Sequence, residues 1–333
     1  MRLVLTSTRS ILPPRDILPP RRRGVPRRHP PASTAGKTSA TSPRLGGGNT
    51  SAGSDGSVPR VSDDADFPSL AELSRADLPF ALRLADLADE ITMMWYRSAG
   101  LQVQAKADHT PVTDADRDTE ALLRSELARE RPDDAVTGEE FGATGHSQRR
   151  WVLDPVDGTK NYVRGVPVWA TLIALLDGDE PIVGVVSAPA LNRRWWASKG
   201  QGAWTMVGRG DVTRCQVSGV ENLGRASLSY SSLTGWEERG LLDGFLDLNR
   251  AVWRTRAFGD FWSHLLVAEG AVDIACEPEV SLWDLAALSV IVTEAGGRFT
   301  DLGGNPGPHG GNALTTNGHL HDTALEYLRD TGN

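Results

Sequence analysis

Two apolar runs, WATLIALL (169–176) and PIVGVVSAP (181–189), flank Asp177-Gly178-Asp179-Glu180 and constrain the fold more than any other segment. Runs this short on either side of a Gly-containing turn predict a hairpin of buried strands rather than helices. Short strands are expected before it at Ala135–Thr137 and Trp151–Leu153, and after it near Trp195–Ala197, Ala203–Met206 and Ser227–Ser229.

Helical spacing appears elsewhere. Leu78, Leu82, Ala85, Leu87, Ile91, Met94 and Trp95 mark one helix face that stops at Gly100, and a second helix is expected from Thr113 or Asp114 to just before Pro132. The last third alternates: strand Ala251–Arg256, helix Asp260–Glu269, strand Val272–Cys276, helix Trp283–Ala295, strands Arg298–Thr300 and Ala313–Thr316, and a closing helix Asp322–Arg329. Hairpins mixed with helices read as an α+β fold.

Composition splits the 333 residues unevenly. Residues 1–57 carry ten Arg or Lys against Asp16 and Asp55, a local charge of +8, whereas the whole chain is −8 and the remainder therefore −16. Residues 1–65 are rich in Pro, Arg, Ser and Gly without apolar periodicity, so they are expected to be a disordered extension, with order beginning near Leu70. Eight prolines before residue 57 argue against an amphipathic targeting helix, and the extension is read as dispensable. The catalytic part is expected at 66–333, in two halves of about 66–210 and 211–333.

An acidic chain without clustered cations in its folded part is not expected to bind nucleic acid. No apolar stretch has the roughly 18–20 residues of a membrane span. Cys215 and Cys276 are too few for a disulfide framework or a thiolate metal site, so a cytoplasmic protein is expected. Both cysteines lie in strand-like surroundings and are read as structural. The scattered histidines form no metal pattern.

The chemistry concentrates in Asp154-Pro155-Val156-Asp157-Gly158-Thr159-Lys160-Asn161, directly after Trp151–Leu153. Pro155 is expected to take the chain out of the strand in an extended turn, leaving the Val156 carbonyl to face outward and Asp154 and Asp157 to converge. Converging carboxylates repel unless a cation sits between them, and two carboxylates with a carbonyl are hard oxygen ligands suited to Mg²⁺. Gly158 and Thr159 would add backbone amides beside it, a cradle for phosphate. A lone Asp-x-x-Asp-Gly is also a common turn with an Asx cap. Glu139 in Gly138-Glu139-Glu140, Asp116 in Thr113-Asp114-Ala115-Asp116, and Asp284 after Trp283 have bland readings of their own, as a solvated loop acid and two helix-start charges.

Taken together and in this order, these segments resemble the inositol monophosphatase family of Mg²⁺-dependent phosphatases over about residues 78–330. TPVTDADR (110–117), GEEFG (138–142), DPVDGTKNYVRGVPVWATLIALL (154–176), VGVVSAPALNRRWWA (183–197), GDFWSHLLVAEGAVDIACEPEVSLWDLAAL (259–288) and GPHGGNALTTNG (307–318) are most similar to its actinobacterial histidinol-phosphate phosphatases. The resemblance implies a layered α/β/α/β/α sandwich, a homodimer and two or three Mg²⁺ ions per site. Glu139, Asp154 and the Val156 carbonyl would hold a first ion, Asp154, Asp157 and Asp284 a second, and Asp116 with Glu139 would border a third. It further implies that Thr159 and Asp116 orient and deprotonate the attacking water, with Glu139 in the same catalytic group, and that Gly158 and Thr159 hold the phosphate. Asp157, Asp260, Glu277, Asp284 and Arg256 are expected around the substrate, a small phosphate ester hydrolysed by in-line attack. The implied substrate is L-histidinol phosphate, in histidine biosynthesis. Carboxylates such as Asp260, Glu277 and Glu279 would suit its ammonium and imidazole, but also inositol hydroxyls, so an inositol-1-phosphate or broad sugar-phosphate phosphatase stays open. A non-catalytic binding protein on the same fold is the reading of another class. Lys160 and Asp260 depart from the inositol-phosphatase wording, which favours histidinol phosphate.

Overall fold

A computed structural model describes residues 77–107, 109–208 and 210–329. The extension expected at 1–65 and the onset of order near Leu70 lie outside the described residues. The chain begins there with α1 (Asp77–Trp95), a hairpin of β1 (Val103–Ala105) and β2 (Pro111–Thr113), and α2 (Asp114–Glu130). Next come β3 (Ala135–Gly138), β4 (Gly142–Thr144), β5 (Arg149–Asp157), the short α3 (Thr159–Arg164), β6 (Ala170–Asp177), β7 (Glu180–Ala188), β8 (Arg193–Ser198), β9 (Ala203–Val207) and β10 (Val212–Arg214). The remainder holds β11 (Ser227–Ser229), α4 (Thr234–Glu238), α5 (Leu242–Ala251), β12 (Arg254–Arg256), α6 (Asp260–Ala268) and β13 (Ile274–Glu277). It closes with α7 (Leu282–Glu294), β14 (Arg298–Thr300), β15 (Ala313–Thr316) and α8 (His321–Leu328).

Beside the small β1–β2 hairpin, β3 to β10 form an eight-stranded sheet in the order β10-β9-β8-β7-β6-β5-β3-β4, antiparallel except between β3 and β5. The second sheet, β12-β11-β13-β15-β14, is parallel across β12, β11 and β13 and antiparallel beyond. The hairpin read from the two apolar runs is β6–β7, with Asp177 opposite Glu180 across a Gly178-Asp179 loop.

Both faces of the first sheet are buried because its central strands are apolar on alternate residues of both parities. Ile173 and Leu175 pack under α1 and α2 with Leu84, Leu123 and Trp151, while Leu172, Ala174 and Leu176 face α6 and α7 through Leu265, Leu288 and Ile291. A third cluster, with Leu228, Ile274 and Leu314 from the second sheet against Phe245, Leu325 and Leu328, seats α5 and α8 on that sheet's far side. The result is five layers: α1 and α2, the first sheet, α6 and α7, the second sheet, then α5 and α8. Each fully buried Leu or Ile contributes about 1.5–3 kcal/mol.

Two expectations need correction. The chain does not leave the strand at Pro155: β5 runs on to Asp157, with one extra residue opposite the Leu172–Ala170 stretch of β6. Proline has no N–H to give the ladder, and a bulge is where a strand tolerates that. Ala251–Arg256 is not one strand either. Ala251 ends α5, whose Phe245 and Leu248 are buried three apart, and only Arg254–Arg256 pairs with β11. Among the described residues no helix is long and apolar enough to cross a membrane.

Candidate active site

The bulge at the end of β5 turns both of its aspartates toward the ends of neighbouring elements. Asp154 is fully buried; its Oδ1 accepts the Val156 N–H at 3.0 Å, and its Oδ2 is buried with no hydrogen-bond partner. Asp157 Oδ2 accepts the Phe261 N–H at the start of α6 at 2.7 Å. Asp284 enters from the first turn of α7, where its Oδ2 accepts the Ser281 N–H at 2.6 Å as half of a capping box. One oxygen of each of Asp154, Asp157 and Asp284 lies within 4.8 Å of the others. Burial, and then the charge of neighbouring acids, Glu139 foremost at Asp154 and Asp260 foremost at Asp157, raises both well above the ordinary carboxylate range; burial, with Glu139 and Asp260, raises Asp284 to about 6 against the lowering effect of the Ser281 N–H.

Asp116 repeats the capping arrangement on α2. Its Oδ2 accepts the Thr113 N–H at 2.8 Å and hydroxyl at 2.5 Å, which leaves Oδ1 facing the Thr159 hydroxyl at 3.4 Å. The helix-start reading of Asp116 and Asp284 holds, and because a carboxylate has two oxygens, one oxygen of each stays outside its cap. Burial raises Asp116 to about 6 against the lowering effect of Thr113. Thr159 also reaches the Val156 carbonyl at 2.9 Å, and Gly158 before it takes φ +81 with the Val168 carbonyl 3.0 Å from where a Cβ would stand, so only glycine fits that turn.

Glu139 follows β3 and lines the same cavity, but its Oε1 is taken by Lys106 Nζ at 2.7 Å, which also binds Glu140 at 2.7 Å. The amino-acid pattern alone did not single out Lys106, an isolated cation beyond the exposed strand β1. Its pairing partners are 33 and 34 residues away, beyond any local spacing rule.

The cavity is about 930 Å³ and is lined by Glu139, Asp157, Thr159, Asp260, Glu277 and Asp284 among others. Asp260 stands at φ +50, a conformation costly for a residue with a Cβ; Asn161 Nδ2 donates to its Oδ2 at 2.9 Å. Glu277 Oε1 accepts the Ser231 hydroxyl at 2.5 Å, and burial raises Glu277 to about 8. Glu279 also lines the cavity. Arg256 does not: it is exposed on β12 and its guanidinium donates to the Thr255 carbonyl at 2.7 Å. His264 lines the cavity with Nδ1 on Thr315, and full burial lowers it to about 4, so it is a neutral packed ring.

Residues 75–332 match the model of the inositol monophosphatase family. The chain belongs to this family. The chain is similar to the histidinol-phosphatase of Streptomyces coelicolor, 59% identical over 256 residues that cover 76% of this chain and 96% of that one. The histidinol-phosphatase of Mycobacterium tuberculosis is 58% identical over 257 residues, covering 77% and 99%. Among solved structures, an inositol monophosphatase from Zymomonas mobilis aligns with a TM-score of 0.67 at 31% identity, covering 76% of this chain and 97% of that one. The protein is a phosphatase of the inositol monophosphatase family, and the cluster of Asp154, Asp157 and Asp284 is a set of carboxylates that could hold a metal ion.

Proposed function

We propose that this phosphatase hydrolyses L-histidinol phosphate to L-histidinol and phosphate with Mg²⁺. The observation that carries the metal is the convergence of Asp154, Asp157 and Asp284 around an unpartnered Asp154 Oδ2. Among the described residues no histidine or cysteine joins this cluster, and hard oxygen donors alone are the set that suits magnesium. On this reading Asp154, Asp157 and Asp284 hold one ion, Glu139 and the Val156 carbonyl join Asp154 around another, and Asp116 borders a third with Glu139. Magnesium held there supplies Lewis-acid polarisation of the phosphoryl group and makes water easier to deprotonate.

The chain's own groups do the rest. Asp116 Oδ1 draws the Thr159 hydroxyl proton toward itself, so that Thr159 Oγ presents a lone pair to the attacking water and passes its proton on. The Gly158 and Thr159 amides face the phosphate. Water adds to phosphorus, the P–O bond to the alcohol breaks, and a proton goes to the departing oxygen. Asp260, beside Gly158, together with Glu277 and Glu279 gives the cavity an acidic lining that suits the ammonium and imidazole of histidinol. The identity to the two histidinol-phosphatases supports the same choice. A homodimeric cytoplasmic enzyme of histidine biosynthesis completes the reading.

The test is phosphate release from histidinol phosphate, inositol-1-phosphate, fructose-1,6-bisphosphate and 3′-phosphoadenosine 5′-phosphate, with and without Mg²⁺. Histidinol phosphate is expected to give the highest kcat/KM, and only with Mg²⁺. Preference for inositol-1-phosphate overturns the substrate, and release that ignores Mg²⁺ overturns the metal.

A further inference from the structure

We propose that Glu120 is a positioning residue: with Arg124 it clamps the Gly138–Gly142 loop and thereby sets where Glu139 stands. Glu120 lies on α2 one turn beyond Asp116 and is fully buried, an expensive place for a carboxylate unless its oxygens are occupied. They are. Oε2 accepts the Glu140 N–H at 2.7 Å; Oε1 accepts the Phe141 N–H at 3.2 Å and Arg124 Nε at 2.7 Å.

Arg124 extends the clamp to the other end of the loop. Its guanidinium donates to the Thr144 hydroxyl at 3.0 Å and to the Gly142 carbonyl. Upstream, the Glu139 N–H is held by the Leu153 carbonyl of β5 at 3.2 Å. The backbone that carries Glu139 is thus bonded to the strand that bears Asp154 on one side and to Glu120 on the other. Gly138 completes the fit: a Cβ there would lie 2.1 Å from Glu120 Oε1, so the glycine makes the space the carboxylate fills.

A carboxylate suits this position because it only accepts. Glutamine has the same shape, but its NH₂ would face one of the two amides, and that end of the loop would lose its tether. Groups that orient a metal ligand without touching the metal typically contribute about 10–100-fold to affinity. A salt bridge that merely fastened α2 to the loop would change stability and leave affinity alone.

The proposal rests on the reading that Glu139 is a magnesium ligand, and the experiment separates the two. Mg²⁺ binding is measured by titration calorimetry on the full chain, beside the melting temperature in chelator and the Mg²⁺ dependence of turnover. Glu120→Gln is expected to weaken Mg²⁺ binding about tenfold or more. Its half-activating Mg²⁺ concentration should rise in parallel, while kcat at saturating Mg²⁺ stays close to that of the unaltered protein. Unchanged Mg²⁺ affinity with a lowered melting temperature overturns the proposal. If Glu120→Gln does not fold, Arg124→Gln, at a partly exposed side chain, decides by the same readouts. Asp154→Asn is the control. If it too binds Mg²⁺ like the unaltered protein, the metal reading itself fails.

Discussion

Asp154 Oδ2 is a buried oxygen with no hydrogen-bond partner among the described residues, pressed by the neighbouring Glu139, Asp157, Asp284 and Asp116. Such a group favours the protonated form until a cation arrives, and this has a sign. Asp116 and Asp284 are raised to about 6 and Glu277 to about 8 from ordinary values of 3.8 and 4.5. Between those limits the folded chain binds more protons than the unfolded one, so stability falls as pH rises through that window. In chelator the melting temperature is expected to be highest near pH 4–5 and to drop toward pH 8. Mg²⁺, which requires the deprotonated acids, should restore more at pH 8 than at pH 5. Asp154→Asn removes one of the repelling charges and is expected to raise the melting temperature in chelator at pH 8. Turnover with Mg²⁺ should fall by at least about 100-fold. A flat pH profile in chelator, or a variant that keeps full turnover, would contradict this account of the residue.

Elements whose cause is local were legible from the residues. Thr113 caps α2 and Asp284 opens α7 because small polar side chains satisfy helix-start amides, and the β6–β7 hairpin announces itself through two apolar runs about a glycine turn. Elements defined by a distant partner were not. The strands of the β1–β2 hairpin are three residues each, too short to show an alternation, and β1 is exposed, yet the hairpin brings Lys106 to Glu139. Glu120 looks like any helix acid until the loop folded over it is known, although its place four residues after Asp116 put both on one face. Pro155 was misleading because a strand break and a bulge have the same sequence signal. The packing of α7 on β7 carries its own prediction. A Cβ on Gly184 would sit 2.6 Å from both the Ala287 carbonyl and Val290 Cγ1, and α7 would have to back away, taking Asp284 with it. Gly184→Ala is expected to cost about 1–3 kcal/mol in denaturant unfolding. It should also raise the Mg²⁺ concentration for half activity, although residue 184 touches no ligand; a neutral result on both counts contradicts the tight fit.

At the scale of the molecule, the net charge of −8 sums two unrelated facts. The cationic residues 1–57 are set against −16 on residues 58–333, a share of which lies in carboxylates gathered around the proposed metals. A chain starting at residue 66 is expected to keep the kcat/KM and Mg²⁺ dependence of the full chain, and a large loss on truncation would assign the extension a role. The five layers have a further consequence for how the protein is made. Asp116 and Asp154 belong to the early half of the chain, whereas Asp284 opens a helix in the central layer that cannot dock until both sheets have strands to receive it. At about 5–20 residues per second of synthesis, the first acids wait on the order of ten seconds or longer for the last. During that interval the acids of the proposed ion site are incomplete, so on the proposed reading magnesium would be captured at the end of biogenesis and not at its beginning.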